Sequence, residues 1–326
     1  MPAIFSNKSN KSNKSNKSNK SNKSNKSAGT VDDMVYSPLY ADARIAARDR
    51  VLPDSLPTPG DGQARSQSVL KLGEAVRFEI YDLELAGGLT VRTSDVHSVT
   101  LHYFDIASEE ATSSTELLQL THPFDHPTAT VVNVEEQVQQ VLNYADLRAE
   151  NASEILVQVD DIITSFEMVL NLDVERHKYT YEMLDIVITI AARMHFPIKH
   201  KLNVPRPADF DVRIQPMLPH PGHPSFPSGH ATEAWVAATM LRTLLADVQA
   251  IGSISQTYVD QATVLLDAHA EEIADNRIVA GLHFPQDNVA GRDLGEVLAS
   301  HFAGRFANPD CPALKALWNA ALAEWV

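Results

Sequence analysis

The sequence contains a single cysteine, Cys311, among its 326 residues, so no intramolecular disulfide can form and nothing indicates an oxidising compartment. It also lacks an uninterrupted apolar run of about 18 residues, the length that a membrane-spanning helix needs. The N-terminus has no apolar core of the kind found in secretory signals. We therefore expect a soluble protein, assigned by default to the cytoplasm, that makes no contact with a membrane.

Basic residues are scarce once the N-terminus is set aside. The chain has 27 lysines and arginines against 42 acidic residues, and residues 1–27 hold seven of the lysines and no acid. The remainder has 20 basic against 42 acidic residues, a net charge near −22. Because such a surface repels phosphate backbones and anionic lipid headgroups, we expect no nucleic-acid partner.

Composition and periodicity divide the chain into three regions. Residues 1–27 consist mainly of seven Ser-Asn-Lys repeats, which are polar and carry one sign of charge, and they predict a disordered tail. Residues 28–130 are predicted to form an N-terminal extension of unclear role. Residues 131–326 show the spacing of amphipathic helices and are predicted to form the main domain.

The extension gives two local predictions. A short helix is predicted around Tyr40–Val51. Apolar and polar residues alternate over 76–80 and again over 99–103, with Gly87-Gly88 between the two runs. Because alternation is typical of half-buried strands, we predict a small β element here.

In the main domain, apolar residues recur every three or four positions, which predicts helices. One stripe covers 155–170. A second covers 183–194, with Thr180 as its N-cap and with Pro197 ending the helix. Six helices with short connections indicate a mainly α fold, a helical bundle. The other four are predicted at about 229–246, 256–274, 285–302 and 314–322.

Three short segments carry the residues that chemistry would need. The first is Lys199, followed after six residues by Arg206 and Pro207. The second is His223-Pro-Ser-Phe-Pro-Ser-Gly-His230, which ends in Pro-Ser-Gly-His. The third is Arg277, with His283 and Asp287 six and ten positions later.

The cations and the start of a helix favour a tetrahedral anion. Arg206 and Arg277 present planar forks that match oxyanion geometry, and Lys199 adds a point charge. Ser228 is predicted to cap the helix that follows it, so that the free amides of the first turn point at the anion. Gly229 would let the anion approach the backbone closely. Phosphate, sulfate or vanadate would suit such a pocket.

Two histidines add reactivity. His230, in the first turn of that helix, suits general acid–base catalysis because imidazole titrates near neutrality. His283 lies just before another helix, and Asp287 can accept a hydrogen bond from its second ring nitrogen. A histidine oriented in this way is a good nucleophile or metal ligand. Each residue alone would be commonplace, so the prediction depends on the joint pattern.

The spacing Lys-x6-Arg-Pro, Pro-Ser-Gly-His and Arg-x5-His-x3-Asp resembles the signature shared by vanadium-dependent haloperoxidases, bacterial class A acid phosphatases and type 2 phosphatidic acid phosphatases. The resemblance covers roughly residues 140–305, and it implies that residues 131–326 are a catalytic domain of this type. One departure is Asn276, because the family often has serine before the third-motif arginine. Asparagine can still donate a hydrogen bond.

The resemblance implies a role for each matched residue. His230 would be the acid–base partner of the apical oxygen of the anion. In a haloperoxidase, His283 would bind the vanadium of a vanadate cofactor, whereas in a phosphatase it would attack phosphorus and form a phosphohistidine. The equatorial oxygens would be held by Lys199, Arg206, Ser228, Gly229 and Arg277.

Weaker features favour the haloperoxidase, which would oxidise a halide with hydrogen peroxide and pass it to a small organic acceptor. His223 resembles a second histidine of algal bromoperoxidases, and Phe196 lies where fungal chloroperoxidases have a tryptophan. With Phe226 they are candidates for a halide site, although core packing is the more common role of each phenylalanine. Residues 147–158 resemble a helix of bacterial haloperoxidase-like proteins, or form a solvated helix face. The missing secretory signal argues against a periplasmic phosphatase.

A soluble acid phosphatase that acts through His283 is the alternative, because haloperoxidases tend to be considerably longer chains. A homodimer would replace the part of the second helical bundle that a short chain lacks. A non-catalytic anion-binding protein is a third interpretation, disfavoured by the pair of histidines. Neither the preferred halide nor the organic substrate can be inferred from the motifs.

Overall fold

The structure, a computed structural model, describes residues 68–104, 114–125 and 131–326. The chain divides into two units, Met1–Ile80 and Tyr81–Val326. Among the described residues, the first unit contains a 3-10 turn at Val69–Lys71 and the first half of helix α1. The predicted tail and the predicted helix around Tyr40–Val51 lie outside the described residues.

The described part of the chain is mainly helical, as predicted, and has a small sheet before most of the helices. The strands are β1 (Leu89–Asp95), β2 (Ser98–Phe104) and β3 (Ser114–Thr121). The helices are α1 (Glu74–Ala86), α2 (Val134–Tyr144), α3 (Arg148–Asp160), α4 (Ile162–Leu170), α5 (Lys178–Leu202), the one-turn α6 (Pro207–Phe210), α7 (Gly229–Ala250), α8 (Gln256–Val279), α9 (Pro285–Ala307) and α10 (Pro312–Ala323).

The sheet confirms one of the two strand predictions. Its order is β1-β2-β3, both pairs are antiparallel, and Val99 and Leu101 of β2 are buried. Residues 76–80 are wrong as a strand, because they lie in α1. The whole of α1 is rich in good helix formers such as Glu, Ala and Leu. Its buried residues Tyr81 and Leu85 are four positions apart, which is helical spacing.

Helix α7 lies at the centre of the helical part and packs against α5, α8 and α9. It is buried around most of its circumference, as expected for a helix surrounded by others. Two glycines let α9 approach it closely. A Cβ atom at Gly291 would lie 2.7 Å from the carbonyl oxygen of Ser228, and one at Gly295 would lie 2.7 Å from that of Thr232. The N-terminal end of α7 is therefore fixed against α9.

Two of the predicted helices have different ends. The stripe over 155–170 is two helices, because the side chain of Asp161 accepts hydrogen bonds from the amides of Ile163 and Thr164 and starts α4. Helix α5 runs through Pro197 to Leu202, although a proline inside a helix costs about 3 kcal/mol. Burial of the apolar side chains of Ile198 and Leu202 beyond the proline acts against this cost.

The start of α5 is capped by a residue distant in sequence. Thr180 is not the N-cap, because the helix begins at Lys178. Instead, the carboxylate of Glu324 accepts hydrogen bonds from the Thr180 amide at 2.9 Å and from its hydroxyl at 2.8 Å. A carboxylate at a helix N-terminus also interacts favourably with the helix dipole.

In the described residues, no helix has the length and apolar content needed to cross a bilayer.

We expect Gly295→Ala to lower the free energy of unfolding by about 1–3 kcal/mol, because the new methyl group would collide with the backbone of α7. Gly304→Ala, on the same helix, is the control, since a Cβ atom there meets nothing within 4 Å. It should be neutral or stabilising by about 0.5–1 kcal/mol. Urea unfolding followed by circular dichroism measures both. Equal effects would contradict the close approach of α9 to α7.

Candidate active site

The three motifs lie at the ends of helices that meet. Lys199 is in the last turn of α5, Arg206 precedes α6, and Ser228 precedes α7. Arg277 is in the last turn of α8, and the loop to α9 carries His283. His230 is partly buried. None of the following residues is more than 4% exposed: Lys199, Arg206, Ser228, Arg277, His283 and Asp287.

His283 and Asp287 form a buried pair. The ring nitrogen Nδ1 of His283 lies 3.0 Å from Oδ2 of Asp287, so it donates its proton to this carboxylate and leaves a lone pair on Nε2. Burial, followed by the charges of Arg206 and Lys199, holds the pKa of His283 well below its usual range. Burial raises the pKa of Asp287 to about 6. Near neutral pH the pair is therefore a neutral imidazole beside a carboxylate.

Asp287 is fixed by two further donors. Its Oδ2 accepts a hydrogen bond from the hydroxyl of Ser225 and one from the amide of Phe284 at 2.9 Å. These bonds favour the ionised form and oppose the effect of burial. They also fix the carboxylate that orients His283.

Lys199 joins the first motif to the second. Its ammonium donates to the carbonyl oxygens of Pro224 at 3.3 Å, Ser225 at 2.7 Å and Pro227. Burial, and then the charge of Arg206, lower the pKa of Lys199 to about 7. Three carbonyl acceptors favour the protonated form, so Lys199 both adds charge and fixes the loop before α7.

Arg206 reaches all three motifs. Its Nη1 donates to the carbonyl oxygen of Leu282 at 2.8 Å and lies 2.9 Å from Nε2 of His283. Its Nε and Nη2 donate to the carbonyl oxygen and to Nδ1 of His223, at 3.2 and 3.1 Å. Burial, with the charge of Lys199, lowers the pKa of His223 to about 4, so His223 is neutral and accepts from Arg206. The guanidinium therefore donates a hydrogen bond to Nε2 of His283, the ring nitrogen that carries the lone pair.

Arg277 is the cation with spare donors. Its Nη2 donates to Oε1 of Gln158 at 3.1 Å and to the carbonyl oxygen of Ile155 at 3.3 Å. Its Nε and Nη1 are buried and have no hydrogen-bond partner among the described residues. A buried donor without a partner costs about 1–3 kcal/mol, more when charged, and an anion would satisfy both nitrogens. Its charge also lowers the pKa of His283, so the two side chains lie close together.

The second motif starts α7 as predicted, but its glycine has a different neighbour. The hydroxyl of Ser228 accepts from the amide of Ala231 at 3.4 Å, which makes Ser228 the N-cap. A Cβ atom at Gly229 would lie 2.9 Å from Nε2 of His195. The glycine is therefore required by the packing of His195 against the helix start.

His195 was not predicted as part of the site. It is buried one helical turn before Lys199, and its Nε2 lies 3.3 Å from Oε1 of Glu233. Burial lowers its pKa, which the charges of Lys199 and Arg206 lower further and Glu233 raises. The four-residue spacing from Lys199 on one helix was the available signal, but nothing in the sequence indicates the contact with Gly229.

The three candidates for a halide site do not lie together. The rings of Phe196 and His223 meet edge to face with centroids 5.4 Å apart, and Phe196 is 47% exposed. Phe226 is only 2% exposed and lies in the core. Phe196 and His223 therefore form a partly open edge beside Arg206, and Phe226 does not contribute to that surface.

The helix over residues 147–158 supports the third motif. Arg148 donates to the carbonyl oxygens of Val279 at 2.8 Å and Gln215 at 2.7 Å, so it is not part of a purely solvated face. Gly281 has a positive φ of 75°, and a Cβ atom there would lie 2.7 Å from Nη2 of Arg148. Arg148 thus fixes the turn that precedes His283.

Together these residues can bind a tetrahedral oxyanion and react with it. The buried cations, the two spare donors of Arg277 and the start of α7 all favour negative charge. The lone pair on His283 Nε2 lies beside them. His230 lies in the first turn of α7, directly after Ser228 and Gly229. Burial is the main cause that lowers the pKa of His283, and the charge of His230 is a smaller one.

Part of the chain is similar to known proteins. Residues 183–308 match the profile of the PAP2 superfamily, and this range contains all three motifs. Among solved structures, the chain is similar to a transmembrane PAP2-type phosphatidylglycerolphosphate phosphatase from Bacillus subtilis, with 16% sequence identity and a TM-score of 0.41. That match covers 52% of this chain and 84% of the other. No curated protein sequence matches the chain significantly.

We expect Arg277→Gln to weaken the binding of inorganic phosphate by roughly 10- to 100-fold, because a charged donor is lost from the pocket. Isothermal titration calorimetry at neutral pH measures the affinity. Arg213→Gln is the matched control, since Arg213 is exposed and pairs only with Asp211 in the described structure. Unchanged phosphate affinity in a folded Arg277→Gln variant would remove Arg277 from the anion site.

Proposed function

We propose that this protein, whose residues 183–308 match the PAP2 superfamily, is a phosphomonoesterase that forms a phosphohistidine at His283. The observation that carries this proposal is the buried His283–Asp287 pair, whose Nε2 accepts a hydrogen bond from Arg206 at 2.9 Å and would be released for attack when Arg206 turns to a bound phosphate. The chain supplies a nucleophile, an acid–base group and an oxyanion pocket. Phosphoryl transfer needs only the ester and water in addition.

In the first half of the reaction, the phosphate of the ester binds between Arg206, Arg277 and the start of α7. Nε2 of His283 attacks phosphorus, and the bond between phosphorus and the ester oxygen breaks. His230 gives a proton to the leaving oxygen, so that an alcohol departs. Asp287 accepts the hydrogen bond from Nδ1 and stabilises the positive charge that develops on the phosphorylated ring.

In the second half, water attacks the phosphohistidine. His230, now without its proton, removes one from the water, and a new phosphorus–oxygen bond forms as the bond to Nε2 breaks. Inorganic phosphate leaves, and His283 regains its lone pair. In both steps, the cations stabilise the negative charge on the three equatorial oxygens, which is the main source of acceleration in phosphoryl transfer.

A vanadate-dependent haloperoxidase is the second candidate, and the edge formed by Phe196 and His223 beside Arg206 favours it, because a halide would need such a surface. The pocket also fits vanadate, since Arg277 has two buried donors without partners among the described residues and His283 has an unprotonated Nε2. Lys199, Arg206, Ser228, Gly229 and Arg277 would hold its oxygens. Bound vanadate would supply a Lewis-acidic centre that activates hydrogen peroxide towards a halide.

Phosphatase activity is tested by measuring kcat for the hydrolysis of para-nitrophenyl phosphate. His283→Ala should lower kcat by at least about a thousand-fold, because the proposed acceptor of the phosphoryl group is lost. His220→Ala is the control, since this histidine is exposed and outside the pocket. Added orthovanadate should inhibit the wild-type enzyme by occupying the same cradle.

The same preparation should be assayed for bromination of monochlorodimedone with hydrogen peroxide, with and without orthovanadate. If the protein is a phosphatase, the ester is hydrolysed and no vanadate-dependent bromination is observed. Vanadate-dependent bromination without hydrolysis would overturn it in favour of the second candidate. Phosphate binding without either reaction would leave a non-catalytic anion-binding protein.

A further inference from the structure

A second group of ligand atoms lies outside the anion pocket, between α3 and α8. Glu154 of α3 and His269 and Glu272 of α8 each place one nitrogen or oxygen ligand atom within 4.8 Å of the others. His269 and Glu272 line a cavity of about 820 Å³ that opens to the surface. We propose that these three residues bind one divalent first-row transition metal ion, a site independent of the proposed phosphatase activity.

The spacing of the ligand atoms suits a single ion. With metal–ligand bonds of about 2.0–2.2 Å, two ligands of one ion lie roughly 3–4.5 Å apart. Nδ1 of His269 is already 3.4 Å from Oε2 of Glu272. The side chain of Glu272 is 49% exposed, so it can rotate to complete the site, whereas His269 is fixed edge to face against Phe166.

The ring of His269 is buried, and its two nitrogens differ in their surroundings. Its side chain is 10% exposed, and its Nε2 is buried without a hydrogen-bond partner in the described part of the chain. One ring nitrogen therefore faces Glu272 while the other is unsatisfied, although buried polar atoms in proteins are normally paired. An imidazole and two carboxylates are together typical ligands of Zn²⁺ and Mn²⁺.

The two carboxylates lie close together and repel one another. Burial, the charge of Glu272 and a hydrogen bond between the two groups raise the pKa of Glu154. Glu154 also acts on Arg277 of the anion pocket, since burial lowers the pKa of Arg277 to about 10 and the charge of Glu154 opposes that shift. A divalent ion between the two carboxylates would reduce their mutual repulsion.

The site is connected to the anion pocket by hydrogen bonds. Asn276 contacts Glu154, and its Nδ2 donates to Oε1 of Gln158 at 3.1 Å. The same oxygen accepts from Nη2 of Arg277 at 3.1 Å. An acidic cluster therefore lies behind one arginine of a cationic pocket, and the two sites attract ligands of opposite charge.

The proposal is tested by titrating the full-length, chelator-treated protein with Mn²⁺, following the free ion by electron paramagnetic resonance. We expect one saturable Mn²⁺ per chain. Glu272→Gln and His269→Asn should each weaken binding by at least about tenfold, because each removes one ligand. His283→Ala should keep the site, since it changes only the anion pocket. The same variants should weaken one stoichiometric Zn²⁺ site in calorimetry.

Glu271→Gln is the matched control. Glu271 precedes Glu272 on the same helix, lines the same cavity and is similarly exposed, but it is not one of the three ligands. Glu271→Gln should retain the Mn²⁺ affinity of the wild type, although it changes the net charge by the same amount as Glu272→Gln. Equal weakening by Glu271→Gln and Glu272→Gln would mean diffuse attraction to an acidic surface and would overturn the proposal. The absence of saturable binding of both ions to the wild type would overturn it as well.

Discussion

The site depends on positive charge that is buried and only partly compensated. Lys199 and Arg206 are held mainly by backbone carbonyl oxygens, and Arg277 by one carbonyl and one amide oxygen. Carbonyl oxygens solvate a cation but do not neutralise its charge. Asp287 is a fully buried carboxylate beside these cations, and it neutralises part of their charge. The pocket therefore retains net positive charge, which a tetrahedral anion would neutralise.

The rest of the fold holds those carbonyls in place. Gly291 lets α9 lie against the start of α7, and Arg148 fixes the turn before His283 through two carbonyls far away in sequence. With the cations fixed, the same charges keep His283 neutral and its lone pair available. The chain as a whole carries a net charge of −15, so entry of an anion into the pocket should depend on ionic strength.

The motifs indicated several side chains that the structure brings together, whereas periodicity placed some of the elements wrongly. The types and spacing of Arg206, Ser228 and His283 indicated an anion pocket because helix ends and charge are local properties. The continuation of α5 through Pro197 was not predictable, since tertiary burial outweighs the local cost of proline. The contact between His195 and Gly229 was not predictable either, because it joins two helices whose relative position no local pattern specifies.

The most direct test of the central claim is to look for the covalent intermediate. A radiolabelled phosphomonoester is mixed briefly with the enzyme, the reaction is quenched with alkali, and the labelled peptide is identified. If His283 is the nucleophile, the label is stable in alkali, is labile in acid and lies on the peptide that contains His283. Hydrolysis of the ester without any labelled protein would mean that water attacks phosphorus directly, and it would contradict the role assigned to His283.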